Sequence, residues 1–243
     1  MHAMISKTAL FCVASVLMIG GAQASPIEDC NQSADVPRQI EGCSRFLQED
    51  SLSPYVALAY GLRGGAYQKK GDRESAIADF SQAIGIDPRQ VSVYVNRGLA
   101  YRDKGDLDRA IADFSKAIEI DSQSGEAFIN RCVAYKDKGQ YDLAMADCTN
   151  AIAINPNDAV AYNDLGVTYE KKGDLDSALA DYTKAIEIDP TLRDSYANRA
   201  VLYDHRGDQD RAIADYRAAL AKNPNSEDRQ DLEAALKRLD ANP

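Results

Sequence analysis

The apolar positions between residues 57 and 226 follow two nested periods. The short one is helical. Tyr94, Gly98 and Tyr101 stand at i, i+4 and i+7, and Ala110, Phe114 and Ala117 repeat that spacing with Ile111 and Ile118 beside them. This puts each set on one face of an α-helix. The long period is 34 residues: Tyr67, Tyr101, Tyr135, Tyr169 and Tyr203 keep that step, as do Ala76, Ala110, Ala144, Ala178 and Ala212. So do the glycines after a basic residue, Gly71, Gly105, Gly139, Gly173 and Gly207, and the series Pro88, Ser122, Pro156, Pro190 and Pro224. Each unit reads as two helices. The glycine stops the first, where a left-handed residue is wanted. Asp72, Asp106, Asp174 or Asp208 then caps the second or sits in its electropositive first turn, and the proline ends the unit because it cannot continue a helix.

These signals place five units at 57–90, 91–124, 125–158, 159–192 and 193–226. One helical pair cannot bury its own stripe, but stacked pairs can, so the pattern predicts an all-α solenoid. Its ends need polar caps. Ser226 to Leu239 predicts a helix with Leu232, Leu236 and Leu239 as its apolar stripe, and residues 227–243 form the C-terminal solvating segment. Residues 25–56 form a leader and a capping helix over Pro37 to Gln48, with Ile40, Cys43 and Leu47 facing the first unit.

The pattern resembles the tetratricopeptide repeat, a W-x2-L-G-x2-Y segment followed by A-x3-F and P. Tyr60, Gly64, Tyr67, Ala76, Phe80 and Pro88 carry the likeness in the first unit, and Tyr162, Leu165, Gly166, Tyr169, Ala178, Tyr182 and Pro190 in the fourth. Tyrosine or phenylalanine replaces the tryptophan, and Arg63, Arg97, Arg131 and Arg199 stand where leucine is usual. The resemblance implies a right-handed superhelical solenoid whose first helices line a concave groove. In several members of that family an asparagine of the first helix holds the backbone of an extended peptide. Asn96, Asn130 and Asn198 stand at that place, with Asp164 in the fourth unit and Leu62 in the first. An amide both donates and accepts, so it can pair with any peptide bond. The same residues could instead bond neighbouring helices and hold the stack. Val95, Ile129, Val133, Val167 and Val201 would add apolar grip. Lys136, Lys171, Arg102, Asp103, Asp137, Glu170 and Asp204 make a mixed set that does not read as a carboxylate clamp.

The amino terminus sets the expected compartment. Lys7, the apolar run Thr8 to Gly21 and the small-x-small site Ala22-Gln23-Ala24 are the parts of a secretory signal. The run of about 14 residues is shorter than the roughly 20 that span a bilayer. Cleavage after Ala24 is expected, giving an exported protein of the periplasm or the medium with no membrane insertion. The chain then keeps 27 basic against 38 acidic residues, a net charge of −11. That balance disfavours nucleic acid and anionic lipid, and favours a protein or peptide partner, a basic one above all.

Export bears on the cysteines, because disulfides persist outside the cytoplasm. Cys30 and Cys43 bracket the leader and are expected to pair. Cys132 falls where other units carry Gly64, Gly98, Gly166 and Ala200, and Cys148 where they carry Phe80, Phe114, Tyr182 and Tyr216. Those two places should touch. A Cys132–Cys148 disulfide is expected there, although two buried thiols would roughly conserve the core volume as well. A metal site is not expected, since there is no C-x-x-C and His205 is the only histidine after Ala24.

No phosphate loop or nucleophile motif is present, so neither an enzyme nor a cofactor is expected. Asp79, Asp113, Asp147, Asp181 and Asp215 recur with the unit, which marks them as architectural. They are expected to pair with Arg63, Arg97, Arg131 and Arg199; the fourth unit has Leu165, so Asp181 tests the idea. The function expected is that of an exported interaction module, an adaptor or assembly factor of the cell envelope. The alternative is a structural subunit that docks through its ends or convex face.

Overall fold

The computed structural model describes residues 26–32, 34–222 and 225–240. The expected signal segment therefore lies outside the described residues. The first two helices among the described residues are α1 (Pro26–Cys30) and α2 (Val36–Glu49). Five helical pairs follow: α3 (Val56–Lys70) with α4 (Arg73–Ile86), α5 (Val91–Asp103) with α6 (Leu107–Ile120), α7 (Gly125–Asp137) with α8 (Tyr141–Ile154), α9 (Ala159–Lys172) with α10 (Leu175–Ile188), and α11 (Arg193–His205) with α12 (Gln209–Ala221). The last helix is α13 (Ser226–Asp240), and its Leu232 and Leu239 are buried against the fifth pair.

The turn inside each pair is made as the sequence requires. Gly71, Gly105, Gly139, Gly173 and Gly207 have φ of 73–91°, where a Cβ is strained. The next residue caps the second helix. Asp72, Asp106, Asp174 and Asp208 accept the amide N–H three residues on, at 3.1–3.2 Å. Side-chain hydrogen bonds from Ser75, Arg109, Ser177 and Arg211 hold these carboxyls below the usual range. Only Gln140 makes no side-chain cap at this position.

Within a pair the helices meet at the small position. A Cβ on Gly98 would stand 2.6 Å from the Phe114 ring, and one on Gly64 or Gly166 would stand 2.7 Å from Phe80 or Tyr182. The third unit fills the same place with a Cys132–Cys148 disulfide, Cα–Cα 5.5 Å, fully buried. The predicted contact between these two positions is therefore present in sister units as glycine against ring and in this one as a covalent bond.

The N-terminal cap covers the first unit as expected, with Cys43 and Leu47 packed among Val56, Ala59 and Leu62 of α3, but its most buried positions extend to a neighbouring face. Gln39, Gly42, Cys43 and Phe46 are the buried residues of α2, while Ile40 and Leu47 are only half-buried. The reason is α1, which lies across α2. The Cys30–Cys43 disulfide joins them with Cα–Cα 4.3 Å, and a Cβ on Gly42 would come within 2.6 Å of Asp29. Asp29 is held by Arg38 and Arg45 at 2.9 and 2.6 Å.

Candidate interaction surface

First helices of consecutive units touch one another, α3 with α5, α5 with α7, α7 with α9 and α9 with α11, whereas second helices of consecutive units stay further apart. The stack is therefore curved, with the first helices inside and the second helices outside.

The inner layer carries the residues picked out for a groove. Asn96 is half-buried and makes no side-chain hydrogen bond among the described residues. Asn130 donates to the Glu126 carbonyl of its own helix at 2.9 Å, which leaves its Oδ1 uncommitted. Asp164 accepts from Lys136 across α7 and α9 at 3.0 Å, each side chain only 15% exposed. Burial raises the Asp164 carboxyl against the opposing pull of Lys136 and Arg102. Asn198 donates to Asn163 Oδ1 at 3.1 Å, and Ser195 donates to the same oxygen at 3.0 Å. Val133, Val167, Ile129 and Val201 are half-buried, whereas Val95 is only 1% exposed and lies in the core. The inner face is thus part free amide, part cross-helix tie.

The outer layer is held by a device of three residues. Arg97 of α5 donates through Nε and Nη2 to both oxygens of Asp113 at 2.8 and 2.7 Å, and through Nη1 to the Ser81 hydroxyl at 3.0 Å. Ser81 belongs to the preceding second helix, so one guanidinium joins α4 to α6. Arg63 does this with Asp79 and Ser44, Arg131 with Asp147 and Ser115, and Arg199 with Asp215 and Thr183. Bidentate, charge-assisted bonds of this kind are the strong ones. The expected pairing of repeated arginines with repeated aspartates is therefore present in all four units that have the arginine. The hydroxyl partners escaped the sequence reading, although Ser81, Ser115 and Thr183 keep the 34-residue register. A second missed ladder runs between units at the turns: Lys104 with Glu74, Lys138 with Asp108, Lys172 with Asp142 and Arg206 with Asp176.

The fourth unit breaks the device. Leu165 packs instead among Cys132, Ala144 and Cys148, against the disulfide of the third unit. Asp181 Oδ2 is buried with no hydrogen-bond partner, and that desolvation raises its carboxyl to about 6. In the adjacent residue, burial and the Glu170 carboxylate that accepts its hydroxyl at 2.7 Å raise the Tyr182 phenol. His205 is exposed at the end of α11. Among the described residues no group of acids, cysteines and histidines could hold a metal, and no helix is long and apolar enough to cross a membrane.

These features define a class, the helical-repeat interaction scaffold, and the comparisons name the family. Profiles described as tetratricopeptide repeat match residues 91–124, 159–192 and 181–214, and one described as TPR repeat matches 64–104 and 133–173. The chain belongs to the tetratricopeptide repeat family. Among solved structures, MamA is 30% identical, with a TM-score of 0.58 over 65% of this chain and 93% of its own. A tetratricopeptide repeat protein from Parabacteroides merdae shares the fold at 18% identity, with a TM-score of 0.75 over 88% of this chain and 83% of its own. YrrB, described as a TPR protein with an unusual peptide-binding site, is 22% identical with a TM-score of 0.58 over 80% and 99%. No curated protein sequence matches the chain.

Proposed function

We propose that this is an exported tetratricopeptide module that binds a protein or peptide segment along the groove of its first helices, as an adaptor or assembly factor in the cell envelope. The observation that carries this is the pair of free groups on the inner layer, the whole Asn96 amide and the Oδ1 of Asn130, beside half-buried valines. Asn96 and the Oδ1 of Asn130 can pair with a peptide backbone, while Val133 and Val167 offer apolar surface on the neighbouring turns. The description of YrrB, a protein of the same fold with an unusual peptide-binding site, supports a peptide as one kind of ligand. The net charge of −10 on the whole chain supports a basic partner. The two disulfides support an oxidising compartment, and the basic-apolar-small pattern of residues 1–24 supports export. The reading is of a binding module and not of an enzyme.

A second reading has its own support. The Lys136–Asp164 and Asn198–Asn163 ties join first helices of adjacent units, as a purely structural row would. The two readings separate in one experiment. The purified protein is cross-linked in a periplasmic extract beside Asn96→Ala/Asn130→Ala, whose helical CD and melting are first matched to the parent. A captured partner lost by the variant supports the groove. Equal capture by both places the binding surface on the outer layer or the ends.

A further inference from the structure

We propose that the fourth unit carries, on the outer layer, a receptor for a guanidinium group that a partner protein's arginine supplies. It does not rest on the groove reading. The chain itself shows what such a receptor holds, because four of its units contain the filled version. In each, a guanidinium lies against an aspartate of the unit's second helix and a hydroxyl of the preceding helix. Aromatic rings flank it. The guanidinium carbon is 5.8 and 5.9 Å from the Tyr94 and Tyr101 rings in the second unit, 5.7 and 5.8 Å from Phe128 and Tyr135 in the third, and 6.0 and 5.9 Å from Tyr196 and Tyr203 in the fifth. Such ring contacts favour a cation, arginine above lysine.

In the fourth unit the residue types of this receptor recur at the same register positions. Asp181 is the carboxylate, Thr149 the hydroxyl, and Tyr162 and Tyr169 stand at the ring positions. Only the cation is missing, because Leu165 replaces the arginine and turns toward the disulfide. The consequence is visible in exposure. The paired aspartates are 4–6% exposed, whereas Asp181 is half-buried; the paired hydroxyl residues are half-buried, whereas Thr149 is exposed and bonds only its own helix, at the Met145 carbonyl. Asp181 and Thr149 are therefore more exposed as residues than their counterparts, while the Asp181 Oδ2 atom itself stays covered and unpaired. The site is also at the surface, since the sister arginines keep 16–19% of their side chains exposed. An arginine from outside would give Asp181 the bond it lacks and would join α8 to α10, the one joint between consecutive units that has no guanidinium of its own. A lysine could not reproduce it, because the planar fork is what spans carboxylate and hydroxyl together.

The test uses the purified protein and small probes, followed by NMR of the Asp181 carboxyl carbon and the Thr149 methyl. Ethylguanidinium is titrated beside ethylammonium at equal ionic strength. The expected result is a saturable shift of both signals with ethylguanidinium, at least tenfold tighter than with ethylammonium. Binding should be lost in Asp181→Asn, and lost in Leu165→Arg, which fills the receptor from within. Equal responses to the two cations overturn the proposal, as does binding that survives in Asp181→Asn. If Leu165→Arg does not fold, Asp181→Asn decides alone. The source is resolved by acetyl-Gly-Arg-Gly-amide against free L-arginine. A peptide that binds at least as tightly as the free amino acid assigns the site to a protein's arginine. Tenfold tighter binding of free arginine overturns that assignment.

Discussion

Asp181 gives the sharpest stability prediction. Its carboxyl is raised from an ordinary 3.8 to about 6, by burial without a partner. At about 1.4 kcal/mol for each tenfold change in proton affinity, the ionised form costs the native state up to about 3 kcal/mol. The sign follows from linkage. The native state holds the proton more tightly than the unfolded chain, so the contribution of this one group to stability is most favourable below pH 3.8, falls as pH rises toward 6, and is flat above that. Asp181→Asn removes the charge and keeps the shape. The amide still needs partners of its own, which takes back part of the gain and leaves about 1–2 kcal/mol at pH 8. For a chain of this size that is a rise in Tm of about 2–8 °C. At pH 4.5 the native carboxyl is protonated while the unfolded one is already mostly ionised, so only about 1 kcal/mol of the penalty has developed, and the cost of the buried amide should cancel the gain. CD melts of parent and variant at the two pH values read this directly. A Tm difference that is the same at pH 4.5 and pH 8 would refute the reasoning, because it would mean that Asp181 is not an ionised, unpaired carboxylate in the fold.

Three further outcomes follow from the repeat. Arg97→Leu imposes the fourth unit's arrangement on the second and leaves Asp113 buried without its cation, which should cost about 3 kcal/mol in urea unfolding; adding Asp113→Leu should recover most of it. Gly98→Ala should destabilise by about 1–3 kcal/mol, since its methyl meets the Phe114 ring, whereas Gly98→Cys with Phe114→Cys should form a disulfide detectable by mass, as in the third unit. Removing the 16-residue Cys132–Cys148 link by a double alanine substitution should lower stability by about 3 kcal/mol, with hydrogen exchange increasing first in α7, α8 and the helix face around Leu165.

The sequence by itself determined the architecture, because each local signal agreed with the long period. A helical stripe, a glycine needing positive φ, an aspartate cap and a proline stop recur together, and a one-dimensional stack needs nothing more to specify which faces meet. For the same reason the Arg97–Asp113 pairing and the Cys132–Cys148 contact were legible: comparing units shows which positions covary within one chain. Three things were left to the tertiary structure. The buried face of α2 was read only in part, because α1, a five-residue helix with no periodicity to detect, crosses it at Gly42 and the Cys30–Cys43 disulfide and buries Gln39 and Gly42 as well. The division of the inner row into the free Asn96 and the tied Asn198 depended on Asn163 and Ser195, which occur in one unit each. The third was the state of the fourth unit. The sequence shows that an arginine is replaced, but only packing decides that Leu165 turns to the disulfide and leaves the Asp181 carboxylate without a partner, because burial and hydrogen bonding are set by neighbours from two other helices.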